Sequence, residues 1–204
     1  MNSSLLLASN SPRRRALLAE AGFDFATDAP EAVERFNVDL TLRELTAFNA
    51  IRKAMSVAPM HPGKIVLAAD TLVALGNEII GKPKDRAEAI VILRRLSGHA
   101  HEVCSSVFIC HLARARHGES VRWRTRSTSF HEISRVHFRK LSDTAIRAYI
   151  DNVDPLDKAG AYAAQGGGVE IIEKIEGSYT NVVGLPMEKT VAALAKFGLR
   201  PKSA

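Results

Sequence analysis

Leu5-Leu6-Leu7-Ala8 is a short apolar run that stops at Ser9-Asn10-Ser11-Pro12, and three arginines, Arg13, Arg14 and Arg15, follow at once. Few openings leave a chain less choice. Serine before proline starts a helix, because the hydroxyl can cap an orphan amide while proline at the first helical position gives up an amide that has no partner anyway. The segment therefore reads as a buried strand, a tight turn, and a helix over Pro12–Ala21 closed by Gly22, with Ser11 as the N-cap. Positive charge in a first helical turn opposes the helix dipole, at about 0.3–1 kcal/mol per exposed charge. An anion would remove that cost, since free amides, a hydroxyl and guanidinium groups at one point suit phosphate. A solvated basic turn is the alternative reading of the same residues.

At 204 residues the chain is long enough for one well-formed core, or two small lobes sharing a cleft, and is expected to be a single domain over 1–204. Its net charge of +6 favours anionic partners without choosing between phosphate-bearing small molecules and nucleic acid. Cys104 and Cys110 are the only cysteines; six residues apart in an alternating stretch, they point to one side of a strand and suit neither a disulfide framework nor a zinc site. The opening apolar run is too short for a signal-peptide core and no stretch approaches a membrane span, so a soluble, cytoplasmic protein without membrane partners is expected.

Further along, apolar residues at Leu42, Leu45, Phe48, Ile51 and Met55 predict an amphipathic helix over Thr41–Ala58, ended by Pro59 and Pro62. Ile65-Val66-Leu67-Ala68-Ala69 is a continuous apolar run, read as a central strand that delivers Asp70-Thr71 at its end or just beyond its middle. Leu72–Leu75 continues it, and Gly76-Asn77 turns it into a hairpin with Glu78-Ile79-Ile80. A capping-box-like pair, Asp85 and Glu88, starts a helix through Leu96 that Gly98 closes. Glu102–Leu112 and Ser120–Phe138 alternate as long antiparallel strands turning near His117-Gly118; Leu141–Ile150 is a helix capped by Ser142, Val169–Ile175 a strand, and Met187–Phe197 a last helix. The class is mixed α/β, one elongated sheet with helices packed around it.

Several residues on this frame can carry chemistry. A carboxylate after an apolar run is costly to bury unless paired, so Asp70 is a candidate metal ligand or general base, against the plain alternative of a strand-end cap. Lys82, between Gly81 and Pro83, can hold an ammonium over a phosphate. Glu31 and Glu34 lie in an acidic loop, one of which can join Asp70 in an oxygen-rich magnesium site. Glycines crowd 157–186 together with Lys158, Gln165 and Asn181, as in loops that wrap a ligand, and a glutamine there can both donate to and accept from a pyrimidine edge. Arg122, Arg124 and Arg126 share one strand face beside Trp123, which fits either nucleic acid or a solvated hairpin edge. No P-loop lysine motif is present.

In order along the chain, Leu-Ala-Ser-Asn-Ser-Pro-Arg-Arg at 7–14, Arg52-Lys53-Ala54, Ala69-Asp70-Thr71, Gly81-Lys82-Pro83, Leu96-Ser97-Gly98 with His101, the segment from Asp157 to Tyr162, Gln165-Gly166 and the segment from Asn181 to Pro186 resemble the Maf family of nucleotide pyrophosphatases, relatives of the inosine triphosphatase-like enzymes. The resemblance runs from Leu5 to about Leu194. It implies two lobes of an elongated mixed sheet around a cleft, and hydrolysis of a nucleoside triphosphate to monophosphate and pyrophosphate with a divalent cation, Mg2+ or Mn2+. It implies Asp70 as the proton acceptor, Ser11, Arg13, Arg14, Lys53 and Lys82 around the phosphates, and Glu34 with Asp70 at the metal. Arg13, Thr71 and Gln165 look like the branch acting on dTTP and UTP, and a homodimer is expected from the family. Three departures stand out: the acidic loop reads Glu31-Ala32-Val33-Glu34, Asn49 stands where a leucine is usual, and Ala164-Gln165 replaces isoleucine-glutamine. An inosine- or xanthosine-type or modified-nucleotide pyrophosphatase is the neighbouring alternative. A nucleic-acid-binding regulatory module is the distant one, and it leaves Asp70 and Lys82 unexplained, so no stable nucleic-acid partner is expected.

Overall fold

The computed structural model describes residues 4–32, 34–36, 39–117 and 120–202. Seven strands form one sheet in the order β2-β1-β3-β5-β6-β7, with β4 paired to β3 off this path. The chain runs β1 (Leu5–Ala8), α1 (Pro12–Glu20), β2 (Phe25–Asp28), α2 (Leu42–Val57), β3 (Ile65–Leu75), β4 (Glu78–Ile80), α3 (Arg86–Leu96) and β5 (Ala100–His117). It continues with β6 (Ser120–Phe138), α4 (Asp143–Asn152), α5 (Gly168–Ile171), β7 (Ile172–Glu176), α6 (Tyr179–Val183) and α7 (Met187–Lys196). β1 pairs in parallel with β2 and β3, while β3, β5, β6 and β7 pair antiparallel, which makes the sheet mixed as the patterning predicts. β5 and β6 are 18 and 19 residues long. At 3.3 Å per residue such strands span about 60 Å, and this gives the sheet its elongation.

The core divides along that length. One cluster gathers Val73, Leu93, Val103, Val136, Ile146 and Tyr162 beneath α3 and α4. Two others lie at the far half: Leu5, Leu7, Leu18, Leu67, Val107 and Leu194 under α1 and α7, and Leu6, Val57, Val66, Ala68 and Cys110 under α2. β3 and β5 both run through the two halves. The first residues of β3 pair with β1 only as far as Leu67, and its last pair with β4 only from Val73 onward. Among the described residues, positions 68–72 thus have β5 on one side and no strand partner on the other, and Asp70 and Thr71 sit in that gap.

Most predicted elements fall where the periodicity puts them, but three details differ. Helix α2 is turned over relative to its apolar pattern. Of Leu42, Leu45, Phe48, Ile51 and Met55 only Leu45 is buried; Phe48, Ile51 and Met55 are 44%, 38% and 39% exposed. The inward face is Leu45, Ala50, Ala54 and Val57 interleaved with Thr46, Asn49 and Lys53. Small alanines let the helix lie close on the sheet, and the polar residues find partners there, Thr46 Oγ1 lying 2.7 Å from Ser106 Oγ. The second difference is that Val169–Ile171, expected as strand, is the end of the short helix α5, so β7 begins only at Ile172. Third, Ser11 occupies the N-cap position of α1 but its hydroxyl makes no cap bond; its own amide donates to Ser9 Oγ at 3.1 Å. The expected turn at His117-Gly118 reaches beyond the described residues at Gly118.

Candidate active site

Asp70 is 2% exposed, in the middle of β3 and opposite Ser106 of β5. A carboxylate so placed must be partnered. Lys53, about three turns into α2, meets it: Nζ donates to Asp70 Oδ1 at 2.6 Å. The same ammonium donates to Glu34 Oε1 at 2.7 Å, and Lys82, from the loop after β4, donates to Glu34 Oε1 and Oε2 at 2.9 and 2.8 Å. Two carboxylates and two ammonium groups from four separate segments therefore close into one network over the gap in the sheet.

Their electrostatics differ. Burial pushes the Asp70 carboxyl above the usual carboxylate range against the pull of Lys53, and the negative Glu34 nearby pushes it the same way. Burial would raise Glu34 as well, but Lys53 and Lys82 outweigh it and hold its carboxyl at about 2. One acid is thus tuned toward accepting a proton and the other toward staying ionised.

The three arginines of the opening segment separate in space. Arg14 is buried, its Nε donating to the Gly184 carbonyl at 2.8 Å and its Nη2 to Thr71 Oγ1 at 3.0 Å. Burial draws its pKa down, opposed by Asp70 and Glu34. Among the described residues its hydrogen-bond partners are the Gly184 carbonyl and the Ser9 and Thr71 hydroxyls, so it is a desolvated cation with neutral partners, which suits an anion. Gly184 holds φ +124° to present that carbonyl, and a Cβ there would lie 3.5 Å from Thr71 Oγ1 and 3.6 Å from Arg14 Nε. Arg13 crosses the cleft to Asp157 at 3.2 Å, and Asp157 in turn pairs with Lys158. Arg15 is exposed.

These side chains line one cleft with two chambers. The inner one has Asp70, Thr71 and Arg14 at its floor and an apolar wall that includes Val73, Tyr162, Ala163 and Val182; the outer one is lined by Ser9, Asn10, Lys53 and Pro30. Ser11, Arg13, Arg14, Glu34, Lys82 and Asp157 border both. A polar, cationic mouth leading to an apolar slot suits a molecule with a polyanionic end and a flat, weakly polar end.

The sequence profile described as Maf-like protein matches residues 4–197. This chain belongs to the Maf family. Maf relatives along nearly its whole length include a protein of Myxococcus xanthus, 45% identical over 96% of this chain and 93% of its own length. Others are from Symbiobacterium thermophilum, 43% identical over 95% and 94%, and Bacillus pumilus, 39% identical over 98% and 99%. All three are named dTTP/UTP pyrophosphatase.

Of the residues the sequence singles out for a Maf site, Ser11, Arg13, Arg14, Glu34, Lys53, Asp70, Thr71 and Lys82 meet at this cleft. Gln165 is not among its lining residues. Its loop is held at Ala163, whose amide donates to Tyr149 Oη at 3.0 Å, so that Ala163 and Ala164 form the wall instead. Thr71 is engaged within the fold, with Oγ1 2.8 Å from Ser105 Oγ as well as 3.0 Å from Arg14. Two participants carry no assignment from sequence reasoning. Asp157 was legible only as part of a motif, and Asn49, which is buried, donates to Asp70 Oδ2 at 3.2 Å. Its signal was the helical spacing to Lys53, four residues on, which puts both on one face.

Proposed function

We propose that this chain hydrolyses nucleoside triphosphates, dTTP and UTP foremost, to the monophosphate and pyrophosphate. The observation that carries the reading is the network at the gap in β3: Asp70 and Glu34 converge on the Lys53 ammonium at 2.6 and 2.7 Å, with Lys82 and Arg14 beside them. Relatives named dTTP/UTP pyrophosphatase, up to 45% identical among those compared, support the substrate class. Cations around the cleft bind and orient the triphosphate, and their charge offsets that growing on the leaving pyrophosphate. Asp70, its basicity raised by burial, takes the proton of a water as that water's oxygen bonds to the α phosphorus and the bond from that phosphorus to the bridging oxygen breaks. Pyrophosphate leaves with the electron pair of that bond.

Among the described residues no group of three or more His, Cys, Asp or Glu could hold a metal ion. Two carboxylates nonetheless fit the need of Mg2+ or Mn2+, hard cations that take one or two protein carboxylates and complete their shell with water and substrate phosphates. Glu34 and Asp70 would hold it, and when bound it supplies Lewis-acid stabilisation of the phosphate charge. Arg13 and Thr71, which line the cleft, are the residues we assign to base preference; Gln165, expected beside them from the sequence, lies outside that lining. The chain acts as a homodimer in this reading, supported by the outward apolar residues of α2, Phe48, Ile51 and Met55. Light scattering checks this: twice the 22.2 kDa chain mass is expected, and a monomer for Ile51→Lys. We place its work in the cytoplasm, supported by two unpaired, buried cysteines; no described helix is long and apolar enough to cross a membrane.

Pyrophosphate release from a panel of nucleotides, with Mg2+ and with Mn2+, tests the reading. Turnover of dTTP and UTP above purine nucleotides is expected, and preference for inosine or xanthosine triphosphate would overturn the base assignment.

A further inference from the structure

Asn49 lies beneath the site, 2% exposed, with every hydrogen-bonding group of its side chain in use. Its Oδ1 accepts the Arg35 amide at 2.9 Å, and its Nδ2 donates to the Arg35 carbonyl at 3.0 Å and to Asp70 Oδ2 at 3.2 Å. The side-chain amide pairs with both backbone groups of one residue as a neighbouring strand would, and spends its remaining hydrogen on a carboxylate. The network also fixes the amide's orientation, because a flipped amide would set its oxygen against the Arg35 carbonyl and the Asp70 carboxylate.

Arg35 follows Glu34. Glu34 is tied through its side chain to Lys53 and Lys82, and the Asn49 bonds add a hold on the backbone next to it, where Arg35 and Phe36 are exposed. We propose that Asn49 is a positioning residue: through one buried amide it fixes the Glu34 loop and the Asp70 carboxylate relative to each other, so that both face Lys53. The inference rests on the reading of Asp70 as proton acceptor and goes beyond it. A leucine at this position would have no group able to make any of the three bonds.

Asn49→Leu keeps the side chain near its present size and removes all three bonds. The Arg35 backbone lies in an exposed loop and can turn to water, so the variant is expected to fold. Asn49→Asp is the second probe: it can still accept from the Arg35 amide but has no hydrogen for Asp70 and adds a carboxylate beside it. Three measurements are made on the full chain: steady-state dTTP hydrolysis with Mg2+, amide exchange at Arg35, and a double-mutant cycle of Asn49→Leu with Glu34→Gln. Expected are a fall in kcat of about tenfold for Asn49→Leu, a larger fall for Asn49→Asp, and faster Arg35 exchange in Asn49→Leu. In the cycle the two losses should not add, because both act through the same loop. Unchanged Arg35 exchange with a wild-type kcat, or losses that simply multiply in the double variant, overturns the inference. Asp70→Asn in the same assay keeps the two claims apart: full turnover there defeats the reading of the site, whereas an inactive Asp70→Asn beside a wild-type Asn49→Leu defeats only the role of Asn49.

Discussion

Lys53 makes the site work as a storage point for opposite charge. A single ammonium neutralises Asp70 and Glu34 together, and the two acids answer differently because Asp70 is sealed in the sheet while Glu34 stays about one-third exposed and shares a second lysine. Glu34 therefore remains ionised far below neutral pH, at a pKa of about 2. A depressed carboxylate adds stability above its ordinary value near 4.5 and loses that contribution as pH falls toward 2, an exposed group's share being softened by solvent. Its charge also restrains the lysines from binding anions on their own. Glu34→Gln should bind dTTP more tightly than wild type in EDTA, since Lys53 and Lys82 are freed, yet turn it over with Mg2+ about tenfold more slowly. Calorimetry and steady-state assays read the two effects separately; weaker metal-free binding would contradict the account.

Among the elements, β5 ties the cleft to its far wall through His101. This side chain is 2% exposed, its Nε2 lies 2.7 Å from Tyr162 Oη, and its Nδ1 has no hydrogen-bond partner among the described residues. Burial keeps the Tyr162 hydroxyl protonated, so a neutral phenol and a neutral imidazole share this hydrogen bond, and Tyr162 follows the strained turn in which Gly160 and Ala161 both hold positive φ. Burial, with His137 adding to it, draws the His101 pKa down from 6.5 to about 4. Between those values the unfolded chain binds the proton and the folded chain does not, so stability is complete above pH 6.5 and falls on acidification toward 4. A gap of that size is worth about 3 kcal/mol. His101→Gln, which can still accept from Tyr162, should flatten this part of a chemical-denaturation profile, while an unaltered slope would place the titration elsewhere. Element existence was largely legible in the sequence because caps and turn residues are local: Thr41 and Glu44 form the capping box of α2, and Asp85 and Ser142 accept from Glu88 and Ala145. The inward face of α2 was not legible, since its partners are Ser106 and Asp70, distant in sequence, and they turn Thr46, Asn49 and Lys53 inward against the apolar count. For the same reason Asp70, Lys82 and the arginine pair stand out by local pattern, whereas Asp157 stands out only within a motif and Asn49 only through its helical spacing to Lys53.

At the scale of the molecule, the gap where β3 leaves β1 and has not yet met β4 is what allows two halves with separate cores to share a cleft. Arg13 on one side and Asp157 on the other span it. The pair is partly exposed, so its loss should change stability by less than about 1 kcal/mol. Its role is to hold the Arg13 guanidinium at the mouth, and Asp157→Asn is expected to raise the KM for dTTP roughly fivefold with kcat nearly unchanged, the signature of lost uniform binding. A fall in kcat instead would move Asp157 into the chemistry. In the proposed reading binding belongs to the whole cleft and bond cleavage to one carboxylate, and Asp70→Asn separates them because Glu34 still partners Lys53 when the charge at 70 is removed. The decisive measurement is dTTP affinity and turnover on that one variant: affinity within roughly threefold of wild type and turnover lower by about 10²–10⁴-fold are predicted, and turnover at the wild-type rate would contradict the account.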